Sequence, residues 1–226
     1  MSLIVEAWMW LVDPLQWSGS AGIPQRLAEH LAYSGIVLLV ALLVAVPVGV
    51  LIGHTGRGAG AVIGAAGALR ALPTLGLLTL FSLLIGLGLT APLLALIILA
   101  VPPVLTAACA GVAEVPPAIK DAAAAQGMTP GQVLTRVELP LAIPVLMGGI
   151  RNAALQVIST TTVAAYINLG GLGRYLIDGL AVRDYGRMLG SVLLVAVLAI
   201  LVDIVLSLIQ RGLTSPGLRA SSEGTR

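Results

Sequence analysis

The side chains that most often carry chemistry are few and far apart in this chain. The one cysteine, Cys109, lies in an apolar stretch, and a hydrophobic segment separates the two histidines, His30 and His54. We expect Cys109 to be a buried, unreactive thiol and His54 to be a solvated loop residue rather than a metal ligand. The sequence contains no phosphate-binding GxxxxGK[ST] motif. Any ATP chemistry would therefore have to come from another protein.

Three ionisable residues, Arg70, Arg151 and Asp203, lie inside apolar segments long enough to cross a membrane. Counted along helices in the orientation given below, all three lie roughly 11–15 Å from the cytoplasmic ends of their segments. A lone ion at that depth is costly, and aspartate cannot reach the headgroups as a long arginine side chain can. We therefore predict that Asp203 pairs with Arg70 or Arg151.

A polar stripe follows one of these segments. Asn152, Gln156, Ser159 and Thr160 are spaced i, i+4, i+7 and i+8, so they share one helix face. Polar groups in a membrane helix face the bundle interior or water. Two interpretations stay open, because the stripe could line a translocation path or could join neighbouring helices by hydrogen bonds.

The composition requires a membrane protein. The 226 residues are 58% hydrophobic and 10% charged, with a mean hydropathy of +1.04, whereas soluble domains average about 25% charged residues. We predict an all-α polytopic protein with about five transmembrane helices. Their expected ranges are 31–52, 61–85, 92–110, 141–166 and 188–210. Pro73 should break or kink the second span. The net charge of +2 gives no reason to expect nucleic-acid binding.

Two terminal segments flank the predicted permease domain, residues 31–210. Residues 1–30 lack a basic start and contain Glu6 and Asp13, so they do not resemble a cleaved signal peptide. Their three tryptophans suit an interfacial, extracytoplasmic segment, although an irregular terminus would also fit. Residues 211–226 form a polar tail.

The interval 114–140 is the one long polar interruption between the third and fourth spans. Prolines at 116 and 117 suit the first turn of a short alanine-rich helix, and Gly127 is the expected left-handed stop. Thr129 and Gln132 predict a capping box for a second helix, which should end before Pro140. The run of four alanines would leave a nearly bare helix face that another protein can approach closely, with Lys120 and Asp121 beside it.

This interval resembles the EAA loop of ABC-importer permeases. The family pattern is E-A-A, three residues, G, nine residues, I, one residue and L-P. Here the matching positions are Asp121, Ala122, Ala123, Gly127, Val137, Leu139 and Pro140, with Asp for Glu and Val for Ile. Residues 71–75, 149–151 and 170–173, with the region of Asp203, resemble glycine betaine/choline/carnitine permeases, the ProW/ProZ-like osmoprotectant importers. The likeness covers roughly residues 25–218.

The resemblance implies a type I ABC-importer permease fold of the MetI-like kind. It implies that Lys120 and the matched EAA-loop residues couple the chain to an ABC ATPase, which would hold the ATP and magnesium, so that this chain binds no cofactor. An extracytoplasmic substrate-binding protein and a second permease subunit, identical or different, are the other implied partners. The resemblance places the chain in the bacterial plasma membrane. With the loop in the cytoplasm, the N-terminus is outside and the C-terminus inside, and six basic residues lie inside against four outside.

Three hypotheses about function follow. The first is a permease subunit for a quaternary-ammonium osmoprotectant such as glycine betaine, choline or carnitine. The second is the same architecture serving another solute, such as methionine or a sulfonate. The third is a membrane scaffold or an intramembrane enzyme, which the spacing of the EAA-like loop disfavours.

Overall fold

The structure, a computed structural model, describes residues 2–167 and 169–214. Over these residues it consists of helices joined by turns, with no strand, which confirms the all-α class. The α-helices in chain order are α1 (Leu3–Val12), α2 (Ile23–Thr55), α3 (Ala59–Arg70), α4 (Thr74–Ile85), α5 (Thr90–Ala113), α6 (Pro117–Ala125), α7 (Pro130–Val133), α8 (Leu139–Ala164), α9 (Gly173–Val182) and α10 (Tyr185–Leu213). Of the predicted tail, residues 215–226 lie outside the described part of the chain.

Four helical stretches in the described residues are long and apolar enough to cross a membrane. They are α2, α5, α10 and the continuous stretch Pro130–Ile167. The bent pair α3 and α4 could supply a fifth span. Several of these helices extend beyond the predicted limits, and α2 in particular begins at Ile23 and continues to Thr55.

The second predicted span is broken, as Pro73 suggests. α3 and α4 contain 12 residues each and meet at an angle of 87°. Pro73 has no N–H with which to continue the hydrogen bonding of α3, and it disfavours a helical conformation at the preceding residue. Each helix is about 18 Å long at 1.5 Å per residue, too short to cross about 30 Å of hydrocarbon alone.

The prediction that the second helix of the EAA-like loop ends before Pro140 is wrong. α7 passes into a π-helical turn, Leu134–Glu138, and that turn passes directly into α8. The Leu139 N–H donates to the Leu134 carbonyl, five residues back. The wider π turn carries the backbone past Pro140, which cannot donate a hydrogen bond to an ordinary α-helical turn.

The chain divides into two compact units. The first contains the described residues of Met1–Val40, Leu72–Ala100 and Ala154–Val202. Its core is built from Ile23, Ile158, Leu172, Tyr175 and Leu198. Trp10 of α1 packs beside this core, with its ring 5.0 Å from that of Tyr175, and a side chain at Gly190 would collide with the Trp10 ring. The N-terminal segment is therefore an ordered, packed helix rather than an irregular terminus.

The second unit contains Ala41–Ala71, Val101–Ala153 and the described residues of Asp203–Arg226. Its core consists of Val50, Ala108, Val112 and Ala142. Glycine allows α2 to approach α5 closely here, since a methyl group at Gly49 would lie 2.7 Å from the Ala108 Cβ. Cys109 is buried in this unit, which confirms its predicted burial.

Candidate functional site

The EAA-like loop carries the capping interactions that the sequence predicts. Gly127 has a φ of +83°, a conformation that glycine adopts without steric cost. The N–H of Met128 donates to the Ala123 carbonyl and that of Gly127 to the Ala124 carbonyl, which is the Schellman pattern for ending a helix. Downstream, Thr129 and Gln132 form the predicted capping box at the start of α7.

Helix α6 has an inner and an outer face. Ala123 is 6% exposed and packs inward, whereas Asp121 and Ala122 are exposed together with Ala124 and Ala125. The exposed alanines leave the backbone of α6 accessible to a close partner. At the far end of the loop, Leu139 packs against the core of the second unit and Pro140 is exposed.

Lys120 turns toward the protein and takes part in a cluster that sequence reasoning missed. Its Nζ lies 2.9 Å from Oε1 of Glu138, and the His54 Nδ1 donates to Oε2 of the same carboxylate at 2.5 Å. The Glu138 side chain is only 1% exposed. The prediction that His54 is a solvated loop residue is wrong, because α2 continues through His54 and brings the imidazole against Glu138.

The predicted pairing of Asp203 is confirmed, and its partner is Arg151. Arg151 Nε donates to Oδ1 and Nη2 to Oδ2 of Asp203, both at 2.8 Å. This two-point contact is the strong geometry for guanidinium and carboxylate groups. Gln210 accepts from Arg151 Nη1 at 3.2 Å and donates to the Pro144 carbonyl. The pair therefore joins α10 to α8.

Arg70, the other candidate partner, lies elsewhere in the second unit. Its Nη2 donates to the Thr106 hydroxyl at 3.3 Å, and its side chain is exposed. Thr106 in turn donates to the Pro102 carbonyl. The contact therefore joins the end of α3 to α5.

The polar stripe of α8 divides into different environments. Gln156 Nε2 donates to the Leu99 carbonyl of α5 at 3.1 Å. That carbonyl lacks its normal helical partner because the residue four positions later is Pro103. Gln156 thus serves as a hydrogen-bond link between helices, the second of the two interpretations.

The other residues of the stripe make different contacts. Thr160 and Ser159 donate back to carbonyls of their own helix, at Gln156 and Leu155 respectively. Asn152 and Ser159 are exposed on the surface of the chain. A place on the translocation path for these residues stays a prediction.

A second unforeseen cluster holds the glycine-rich segment 170–173. The Gly171 N–H, at a φ of +81°, donates to Oε2 of Glu29 at 2.8 Å. Arg26 Nη1 donates to the same carboxylate oxygen at 2.9 Å. His30 is fully buried, and its Nε2 lies 3.0 Å from the Ile158 carbonyl. The sequence signal that could have indicated this cluster is the group of polar residues in the first turns of α2, before its apolar run.

Helix α9 is fixed by polar contacts to the same unit. The Tyr175 hydroxyl donates to the Ala21 carbonyl at 2.5 Å, and Ser191 donates to the Leu172 carbonyl. Burial raises the pKa of the Tyr175 hydroxyl, so it remains a donor at neutral pH. Arg187 lies over the Tyr175 ring, 5.3 Å from its centroid, at cation–π distance. Among the described residues no group of three or more metal-ligating side chains is assembled.

A family model described as the binding-protein-dependent transport system inner membrane component matches residues 31–215. The chain belongs to this family. It is 36% identical to the choline transport system permease protein OpuBB of Bacillus subtilis, over 94% of this chain and 98% of the relative. It is also 36% identical to the glycine betaine/carnitine/choline transport system permease protein OpuCB of that organism, over 88% of this chain and 91% of the relative. The osmoprotectant import permease protein OsmW of Salmonella typhimurium is 34% identical, over 84% and 91%.

The fold is shared with solved structures of the MetNI methionine ABC transporter in inward-facing conformations. One of these chains has a TM-score of 0.72 at 24% sequence identity and covers 83% of this chain. Another has a TM-score of 0.74 at 23% sequence identity and covers 90% of this chain. These likenesses confirm the predicted MetI-like fold. With the family membership, they make the chain a permease subunit of an ABC transport system, which is a multi-pass inner-membrane component and a transporter rather than an enzyme.

Proposed function

We propose that this chain is the permease subunit of an importer for quaternary-ammonium osmoprotectants, such as glycine betaine, choline and carnitine. The observation that carries the proposal is similarity over nearly the full length of relatives whose names specify these solutes, at 33–36% identity. The methionine transporters share the fold at lower identity and carry no argument about substrate.

The EAA-like loop is the proposed docking element for an ABC ATPase, which supplies the ATP and magnesium. Support comes from the outer face of α6, where Asp121 and small alanine side chains are exposed. The turn at Gly127 ends this helix, and the capping box at Thr129 begins α7, so the loop has a defined shape. A short helix with exposed small side chains suits insertion into a groove of a partner.

The chain is poorly equipped to hold a quaternary ammonium group tightly by itself. Such cations are best bound by aromatic cages. The sequence has only eight aromatic residues, namely three Trp, four Tyr and one Phe. Only Tyr33, Phe81 and Tyr166 lie in or at the edges of the spans predicted from the sequence. We therefore assign high-affinity recognition to an extracytoplasmic binding protein and a low-affinity path to the permease. The exposed polar residues Asn152 and Ser159 are candidates to line that path.

A second permease subunit, identical or different, completes the proposed transporter. Docking of the EAA-like loop to a cytoplasmic ATPase sets the orientation, with the N-terminus outside and the C-terminus inside. A cysteine at Thr129 should therefore react with an impermeant thiol reagent only from the cytoplasmic side. A cysteine at Ser18 should react only from outside. Labelling in the reverse pattern would contradict this topology.

Osmotic rescue tests the substrate proposal. The chain is expressed with its second permease subunit, its ATPase and its binding protein in a bacterial strain that lacks osmoprotectant uptake, and growth is measured in high salt with each solute added. We expect rescue by at least one quaternary-ammonium compound and uptake of that compound that excess methionine does not reduce. Uptake of methionine or a sulfonate without osmotic rescue would favour the alternative substrate class.

A further inference from the structure

Glu138 is the meeting point of three separate helical elements. One carboxylate oxygen accepts from Lys120 of α6 at 2.9 Å, and the other accepts from His54 in the last turn of α2 at 2.5 Å. Glu138 itself ends the π-helical turn that leads into α8. The carboxylate is 1% exposed, whereas the side chains of Lys120 and His54 are 26% and 22% exposed. A buried carboxylate of this kind requires its partners in place, because an unpaired charge there is strongly unfavourable.

Lys120 connects this carboxylate to the inner face of α6. It lies one helical turn before Ala123, the alanine that packs inward, and therefore on the same side of the helix. The exposed residues Ala122 and Ala125 lie on the other side. Helix α6 thus presents one face to solvent and reaches the membrane helices through the other.

The π-helical turn explains how Glu138 comes to face both partners. A π turn contains an additional residue, so it rotates the following side chains relative to a regular α-helix, and such turns often occur at functional sites. Without it, Glu138 would point in a direction about 100° away, the rotation per residue in a helix of 3.6 residues per turn. The turn therefore places the carboxylate between α6 and α2 at the point where α8 begins.

We propose that Glu138 is the joint through which movement of α6 reaches α2 and α8. The inference rests on the proposed docking of α6 to an ATPase, and it makes Glu138, Lys120 and His54 positioning residues for coupling. The chain turns at both ends of α6, at Pro116 and at Gly127. The backbone alone would therefore transmit a movement of α6 poorly to the membrane helices. The ion pair provides a direct link from the middle of α6 to both membrane helices. A displacement of α6 would pull on the carboxylate and, through it, on the cytoplasmic ends of α2 and α8.

The alternative is that the cluster only stabilises the fold. The two roles predict different measurements on the complete transporter in proteoliposomes, with its ATPase, its binding protein and glycine betaine. One readout is the amount of ATPase that co-purifies with the permease. The other is the number of solute molecules transported per ATP hydrolysed, with the stimulation of hydrolysis by the loaded binding protein. A stabilising role changes the amount of complex, whereas a coupling role changes the ratio of transport to hydrolysis.

The decisive variants are Glu138→Gln, Lys120→Met and His54→Asn. We expect each complex to retain its ATPase while stimulation by the loaded binding protein falls, by at least tenfold for Glu138→Gln. The exchange of Lys120→Glu with Glu138→Lys should restore part of the ratio that either single change removes. Glu114→Gln is the matched control, because it makes the same chemical change at an exposed acid in the same loop.

The outcomes separate the joint from the proposed function. Wild-type stimulation and a wild-type transport ratio in Glu138→Gln would overturn the joint. A loss of bound ATPase in proportion to the loss of activity in all three variants would also overturn the joint. If Glu138→Gln fails to fold, His54→Asn provides the same test. If the wild-type permease neither binds the ATPase nor responds to the loaded binding protein, the proposed function itself is wrong.

Discussion

Replacing Gly127 by alanine or valine perturbs the backbone at one position. The φ of +83° lies in the left-handed region, and an added Cβ would meet no other atom within 4 Å. The cost is therefore backbone strain alone, about 1–2 kcal/mol for an L-residue in this conformation. Valine should cost more than alanine, because its branched Cβ crowds the backbone.

Gly131 supplies the matched control four residues further on. It is in α7, has no positive φ, and an added Cβ there also meets nothing within 4 Å. Alanine at Gly131 should therefore be neutral or stabilising, by about 0.5–1 kcal/mol, as expected for a helical glycine. Any difference between the two alanine variants reports the left-handed conformation at Gly127 rather than a change in surface chemistry.

Hydrogen exchange measures this cost directly. A loss of 1–2 kcal/mol raises the population of the locally open loop roughly five- to thirty-fold. The amides of residues 127 and 128, whose hydrogen bonds end α6, should exchange faster by that factor in Gly127→Ala and by a larger factor in Gly127→Val. Substrate-stimulated ATP hydrolysis should fall in the same order, although the protein stays in the membrane. Equal exchange in the Gly127→Ala and Gly131→Ala variants would refute the reasoning.

Two further predictions concern the membrane helices. Asp203→Asn should reduce assembly or transport several-fold. Adding Arg151→Gln to the same chain should restore part of the lost assembly or transport, and a double variant no better than Asp203→Asn would contradict a role for the pair. Gln156→Leu should lower the free energy of unfolding by about 0.6 kcal/mol and at most about 1.7 kcal/mol. The reason is that the Leu99 carbonyl, four residues before Pro103, loses its hydrogen-bond donor. Thermal unfolding in detergent measures the change. No change in the unfolding temperature would show that this carbonyl is satisfied in another way.

The sequence predicts best the features that depend on neighbouring residues. The left-handed turn at Gly127, the capping box at Thr129 and the break at Pro73 each follow from the local conformational preferences of a few side chains. The Arg151–Asp203 pair was also predictable, since helix length alone puts the two charges at one depth. Depth could not decide between Arg151 and Arg70, because that choice depends on which helices are neighbours.

The features that the sequence did not predict depend on contacts between distant segments or on irregular helix geometry. The contact of Glu138 with His54 and Lys120 joins residues up to 84 positions apart, and it requires α2 to continue beyond its apolar stretch. The π-helical turn was missed because Pro140 ordinarily ends or kinks a helix. The link from Gln156 could have been anticipated in part, since Pro103 leaves a carbonyl without a partner.

Reconstituted transport tests the central claim most directly. The permease, its second permease subunit, its ATPase and its binding protein are placed in sealed proteoliposomes, and accumulation of radiolabelled glycine betaine is followed with and without ATP. The account predicts accumulation against a gradient that requires ATP, the ATPase and the binding protein together. Glycine betaine movement that is unaffected by removing the ATPase, or no movement while methionine accumulates, would contradict it.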